Sequence, residues 1–251
     1  IHAGYNGIEI HLPADTAFKQ QLIEQLNHIY ALNSNFLFIP QQLISPENET
    51  VDVFIQRMKK ELKWLTSLQP TYIHSHTGKD FYSFDDNCKI IEASLSISIN
   101  TGVRILHETH RGRFSFHAAS LVPYLKKFPE LELVGDFSHF CAVSESLLYD
   151  QEELLSEIIP HVSHIHARIG FEQGPQVNDP FAPEWQNHFA RFEGWWQQIV
   201  DLKRNSGWQQ FNITPEFGPA PYMPLLPFTK QPIGNQWEIN KKMMEHLKIR
   251  L

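Results

Sequence analysis

Four side chains able to hold a cation stand at the ends of four successive strand-like runs. They are Glu108 in LHETH, Asp136 in VGDFSH, His166 in HIHAR and Glu216 in TPEFG. Three carboxylates and one imidazole suit a single divalent ion such as Mn²⁺, Mg²⁺, Co²⁺ or Zn²⁺. Three carboxylates gathered away from water without a cation would carry a heavy desolvation cost, which a metal relieves. A divalent ion held by such a set would act as a Lewis acid.

Strand parity sorts the neighbouring residues, because side chains two apart share a face. His164 and His166 share one, and His166, nearer the carboxyl end, is the better ligand. His164 is expected one layer deeper as a satisfied core histidine. Arg168 continues the same face toward the pocket. His74 and His76 repeat the pattern, with His76 the pocket residue, whereas His107 should point away from Glu108 and pack. His139, three residues after Asp136, is expected to reach over the site and bond a substrate oxygen or support the metal. Lys79, Arg111, Arg113 and Arg168 would suit an anionic or polyhydroxyl ligand, Lys79 and Arg113 reading as a solvated rim. Glu9 is expected to line the pocket. His110, His117, His161 and His188 read as loop or surface residues, and the Trp195–Trp196 pair as core or an oligomer contact.

The elements that would position these residues alternate in type. Strands are expected at 7–10, 35–40, 71–76, 103–108, 131–136, 162–167 and 211–216, mostly as near-continuous apolar runs suited to a parallel sheet covered on both faces. Helices are expected at 15–32 behind an Asp15 cap, at 50–68 and at 84–100 behind a Ser83/Asp86 capping box. Others should fill 115–128 (short or kinked by Pro123), 151–159, 184–206 ending at Gly207, and 236–249. Alternation of this kind predicts an α/β TIM (β/α)8-type barrel forming one domain over residues 1–251. Only seven strands and seven helices are visible. The opening IHAGYNG reads as a helix tail, so the first β/α unit is expected to be missing from the numbered chain. Two irregular stretches, 168–183 and 217–235, follow strands and should lie over the active site.

Composition narrows the function. A net charge of −7 disfavours general nucleic-acid binding. No apolar run approaches the roughly 20 residues that span a bilayer, so no membrane partner is expected. Cys88 and Cys141 form no metal-type pair and read as reduced thiols of a cytoplasmic protein. Dinucleotide fingerprints, phosphate loops and nucleophile elbows are all absent from the sequence.

The motifs HETHRGR (107–113), GDFSH (135–139), HIHARIG (164–170), GPQVNDP (174–180) and TPEFG (214–218) together resemble the xylose-isomerase-like TIM-barrel superfamily of sugar isomerases and epimerases. The likeness runs from GYNGIEI to TPEFGP. In the ketose 3-epimerase branch it implies one divalent metal on Glu108, Asp136, His166 and Glu216, with His139 contacting substrate. It further implies an isomerase or epimerase acting on a sugar or sugar phosphate through an enediolate. On that reading Glu108 and Glu216 remove and return the proton, His139 and Arg168 orient substrate oxygens, and His76 shuttles a proton. Three other outcomes share the scaffold: a dehydratase or lyase acting on a hydroxylated carbonyl acid, a zinc-dependent abasic-site endonuclease, and a sugar-binding protein without catalysis. Asp179 sits where one ligand of the endonuclease would, but Phe181 stands in place of its next histidine. The expected partners are a small-molecule sugar and, in a homo-oligomer, a second copy of the chain.

Overall fold

The computed structural model describes residues 3–13, 15–44 and 47–251. The chain divides into two compact units, one running through His107 and the other from Glu108 to Leu251.

The first unit contains strands β1 (Gly7–His11), β2 (Leu37–Gln42), β3 (Ile73–Ser75) and β4 (Ile105–Glu108, whose last residue opens the second unit). Helices α1 (Thr16–Leu32), α2 (Val51–Ser67) and α3 (Phe84–Thr101) separate them. Successive strands pair in parallel, as Gly7 with Leu37, Gln41 with His74, and Ile73 with Ile105. The caps are those written in the sequence. Asp15 accepts the Phe18 N–H at 2.7 Å, and Ser83 accepts that of Asp86 at 3.1 Å. Phe54, Met58, Leu62 and Leu65 form a helical stripe on α2 and pack with Phe38, Ile73 and Ile90 into one core.

Buried polar groups in this unit pair with one another, as low-dielectric surroundings require. Glu9 Oε1 lies 2.6 Å from His74 Nδ1, and Gln41 donates to the same oxygen. Ser75 donates to Gln42, while Thr77 Oγ1 meets His107 Nδ1 at 2.6 Å. His107 is therefore a packed, hydrogen-bonded residue, as parity predicts.

The second unit carries β5 (Leu133–Gly135), β6 (Val162–Ala167) and β7 (Ile213–Pro215), again parallel. Its helices are α4 (Ala118–Lys127), α5 (Phe137–Ser144), α6 (Glu152–Ile158), α7 (Gln186–Asn205) and α8 (Gln236–Arg250). Pro123 lies inside α4, which is short, at ten residues. Gly207 follows α7 at φ 88°, the left-handed position that suits glycine after a helix. Trp195 and Trp196 are buried in the core.

Three expectations change. Residues 3–6 are a turn and bend at Ala3 and Gly4 followed by irregular backbone rather than a helix tail, and Ile1 and His2 lie outside the described residues. Eight α-helices are present among the described residues instead of seven, because α5 begins directly after Asp136. Lys79 is buried rather than on a solvated rim; its backbone N–H and C=O both bond the Asn87 amide.

Candidate metal centre

The second unit brings four of the predicted residues together. Glu108 ends β4, Asp136 follows β5, His166 lies near the end of β6 and Glu216 follows β7. Each strand is short, and its polar terminal residue emerges where pairing stops. One donor atom from each of the four residues lies within 4.8 Å of the other three.

Local hydrogen bonds fix each carboxylate. The Glu108 carbonyl accepts a short bond from Ser115 Oγ. Thr109 Oγ1 accepts the Asp136 N–H at 2.8 Å and donates to the Asp136 carbonyl at 2.9 Å, locking the two strand ends side by side. Asp136 also caps α5. Its Oδ1 accepts the Ser138 N–H at 3.0 Å and the Ser138 hydroxyl at 2.5 Å. That leaves Oδ2 to face the cluster. Gly170 permits this packing, since a Cβ there would stand 2.7 Å from Ser138 Cβ.

Glu216 is held through the two residues that follow it. Gln176 donates to the Gly218 carbonyl at 3.0 Å and accepts the Gly218 N–H at 2.7 Å. Asn240 does the same for Phe217, accepting its N–H at 2.7 Å and donating to its carbonyl at 3.0 Å. Two side-chain amides thus replace a strand's backbone on this segment.

His166 Nδ1 is 2.7 Å from Glu216 Oε2 and 3.3 Å from Glu108 Oε1. Arg168 Nε is 3.3 Å from Asp136 Oδ2, and its Nη2 makes a short ion pair with Glu216 Oε1. His139 Nε2 is 3.4 Å from Asp136 Oδ2. Yet Asp136 Oδ2 and Glu216 Oε2 are buried without accepting a well-formed hydrogen bond. Close approach without alignment is how ligands face a shared ion, and two such oxygens would be costly if nothing else bound them. The donor set fits a divalent cation. Carboxylate oxygen with one imidazole favours Mn²⁺, Mg²⁺, Co²⁺ or Zn²⁺ without choosing among them.

Charge in the cluster follows burial first. Desolvation pushes the Asp136 carboxyl up to about 7, against the pull of Arg168. Burial also raises Glu216, but Arg168 and His166 together outweigh it and hold that carboxyl below its ordinary range. Burial, with His110 and Arg168 nearby, drives His139 well down, so its ring is neutral.

His139 and Arg168 sit beside the cluster. His164 is buried behind it, its Nε2 2.9 Å from Thr214 Oγ1. His76 belongs to the first unit, half-buried, its ring 5.2 Å from that of His74. Two residues escaped the sequence reading. His110, read as a surface residue, has its ring centroid 3.8 Å from that of His139. Parity could have found it, since 110 is two past Glu108. Tyr222, in the Pro-rich stretch after β7, lies 4.2 Å under the Arg168 guanidinium with its hydroxyl 3.4 Å from His110 Nε2. It carried no sequence signal. Asp179 caps Phe181 and joins none of the metal-capable groups among the described residues.

Comparison with solved structures places the architecture. A probable 3-DHS dehydratase, AsbF, from Bacillus anthracis superposes with a TM-score of 0.63 at 14% identity, covering 100% of this chain and 91% of its own. The IOLI protein, solved with a binding zinc atom, gives 0.64 at 14% identity over the same shares. A xylose isomerase-like TIM barrel protein from Mycobacterium smegmatis, in complex with magnesium, gives 0.59 at 10% identity, covering 100% and 86%. The chain has a TIM-barrel fold like that of these structures. Seven parallel strands of that barrel are present among the described residues. No protein-family model matches the sequence, and no curated protein matches it. In this chain no described helix is long and apolar enough to cross a membrane, and both Cys88 and Cys141 are buried.

Proposed function

We propose that Glu108, Asp136, His166 and Glu216 bind one divalent metal ion and that the chain is a sugar isomerase or epimerase working by proton transfer. The observation that carries this reading is the convergence of four donor atoms within 4.8 Å in the second unit, two carboxylate oxygens among them lacking a hydrogen bond. Zinc and magnesium in similar barrels support it.

A bound divalent ion would supply Lewis acidity, making the C–H beside a substrate carbonyl removable. Glu216 is the stronger candidate to take that proton. Its carboxyl is held in the ionised form by Arg168, and its side chain keeps 24% exposure, enough to meet a ligand. Glu108, 2% exposed, lies across His166 from it and would return the proton. Arg168 and the neutral ring of His139 are placed to donate to substrate oxygens. Moving a proton between neighbouring carbons is isomerisation, and returning it to the opposite face is epimerisation. If a leaving group departs instead, the same first step gives a dehydratase acting on a hydroxylated carbonyl acid.

The test uses metal-reconstituted protein and a panel of ketoses, aldoses and inososes in D₂O. Solvent deuterium should enter the product. Glu216→Gln should slow exchange by roughly 10²- to 10⁴-fold, the usual worth of a positioned base. Exchange at the wild-type rate in both Glu108→Gln and Glu216→Gln would refute the assignment, and a product lighter by one water would move it to dehydration.

A further inference from the structure

One side of the metal cluster is lined by cationic and imidazole groups arranged around a single aromatic ring. Tyr222 has the Arg168 guanidinium 4.2 Å above its ring and the Arg111 guanidinium 5.7 Å away. The His139 ring centroid is 6.4 Å from it, and the Tyr222 hydroxyl reaches His110 Nε2 at 3.4 Å. His110 Nδ1 lies 2.5 Å from the Arg111 carbonyl and must donate to it, so backbone and ring of these two residues are tied together.

Three features mark this group as built for a ligand. His139 is fully buried, and neither ring nitrogen has a hydrogen-bond partner. Arg168 is 4% exposed, with its Nη1 also unpartnered. Arg111 is exposed, and no carboxylate among the described residues pairs with it. Buried donors without acceptors are uncommon in folded proteins and mark places where an oxygen-rich molecule completes the bonding. A guanidinium without an acid beside such donors selects for charge as well.

The permanent charges indicate which charge. Glu108, Asp136 and Glu216 contribute three negative charges, and Arg168 with a divalent ion contributes three positive ones. Arg111 remains, an exposed cation with no carboxylate paired to it among the described residues, and a neutral sugar would leave it unmatched.

We propose that the compound bound beside the metal cluster is a polyhydroxylated carboxylate, a monoanion, and that Arg111 anchors its carboxylate. His139 and Arg168 would then bond the hydroxyl or carbonyl oxygens nearer the metal. The inference rests on the metal-centre reading above and fixes its substrate class.

The experiment measures binding rather than turnover. Metal content is determined first by elemental analysis. Gluconate, glucitol and glucitol 6-phosphate are then titrated calorimetrically into wild-type protein and Arg111→Met. Gluconate differs from glucitol only in its carboxylate. It should bind wild type roughly 10- to 100-fold more tightly, the usual worth of a charge-assisted bond. Arg111→Met should abolish that preference with metal content unchanged. Equal binding of gluconate and glucitol, or binding of none of the three with metal in place, overturns the proposal. Tighter binding of the phosphate, lost in Arg111→Met, also overturns it in favour of a phosphorylated ligand. Wild-type protein that takes up no metal refutes the metal-centre reading instead, while an Arg111-dependent preference for gluconate in that sample still supports the anion site.

Discussion

The Arg168 guanidinium links two of the three clustered carboxylates. Its Nε is 3.3 Å from Asp136 Oδ2, and its Nη2 pairs with Glu216 Oε1. In the absence of metal it is the principal positive charge within reach of either acid. Arg168→Met should therefore destabilise chelator-treated protein by about 3 kcal/mol, the usual cost of stranding a buried charge. A divalent ion should recover part of that loss. Urea denaturation with and without metal measures both. An unchanged midpoint in the metal-free variant would show that Arg168 does not neutralise the cluster.

Asp136 makes metal binding depend on pH in a defined direction. Burial raises its carboxyl to about 7, above the unfolded value. A raised pKa contributes stability that is full below the unfolded value and lost as pH rises through the folded one. Metal-free protein should therefore lose stability as pH rises from about 5 to 7, by at most about 1.4 kcal/mol per pH unit from this group, and level off above. Glu216, shifted downward, contributes in the opposite sense only at acid pH and leaves this window clear. The ion needs the ionised carboxylate, so affinity should rise across the same interval with release of a proton. Calorimetry in buffers of different ionisation enthalpy counts that proton, and binding without proton release contradicts the assignment.

Gly170 lies against the first turn of α5 at Ser138. In Gly170→Ala the new Cβ would meet Ser138 Cβ at 2.7 Å and Ser138 Cα at 3.0 Å. Backbone must move, and Ser138 carries the Asp136 side chain with it. The variant should lose roughly 1–3 kcal/mol of stability, as overpacked sites do. Its metal affinity should fall by a larger factor than in a surface control such as Ala119→Gly. Equal affinity in the two variants would disconnect Gly170 from the metal centre.

The amides beside Glu216 are a third point of control. Gln176→Leu would orphan the N–H and C=O of Gly218, and Asn240→Leu those of Phe217. Each unsatisfied group costs about 1–3 kcal/mol when buried. Both variants should melt lower and hold metal more weakly, while Gln176→Glu, which keeps the acceptor, should be milder than Gln176→Leu. Thermal melts and metal titration rank the three. A ranking with the glutamate variant worst would show that donation, and not the paired geometry, matters.

Much of the site was legible because strand parity is strict. Glu108, Asp136, His166 and Glu216 are legible as strand ends, and counting by two separates His166 and Arg168 from His164. The same count from Glu108 reaches His110, which reads as a surface residue only when taken as part of a loop. Helix α5 was missed because FSHFCAVS is eight residues long and nearly apolar, too short to display a 3.6-residue period. Its start was nonetheless written in Asp136, whose side chain caps it. Tyr222 lies in a Pro-rich stretch with no periodicity, and only its tertiary neighbours give it meaning. The burial of Lys79 was unreadable too, since it depends on Asn87, eight residues away on α3, folding back to bond its backbone.

The segment after Glu216 owes its position to two amide side chains rather than to the backbones of further strands. That separates what is invariant in the site from what can diversify. Provided a glutamine and an asparagine remain at 176 and 240, the residues around them can change length and chemistry without disturbing the carboxylate. A barrel organised this way is modular. Its acidic cluster can stay fixed while the loops around it are exchanged.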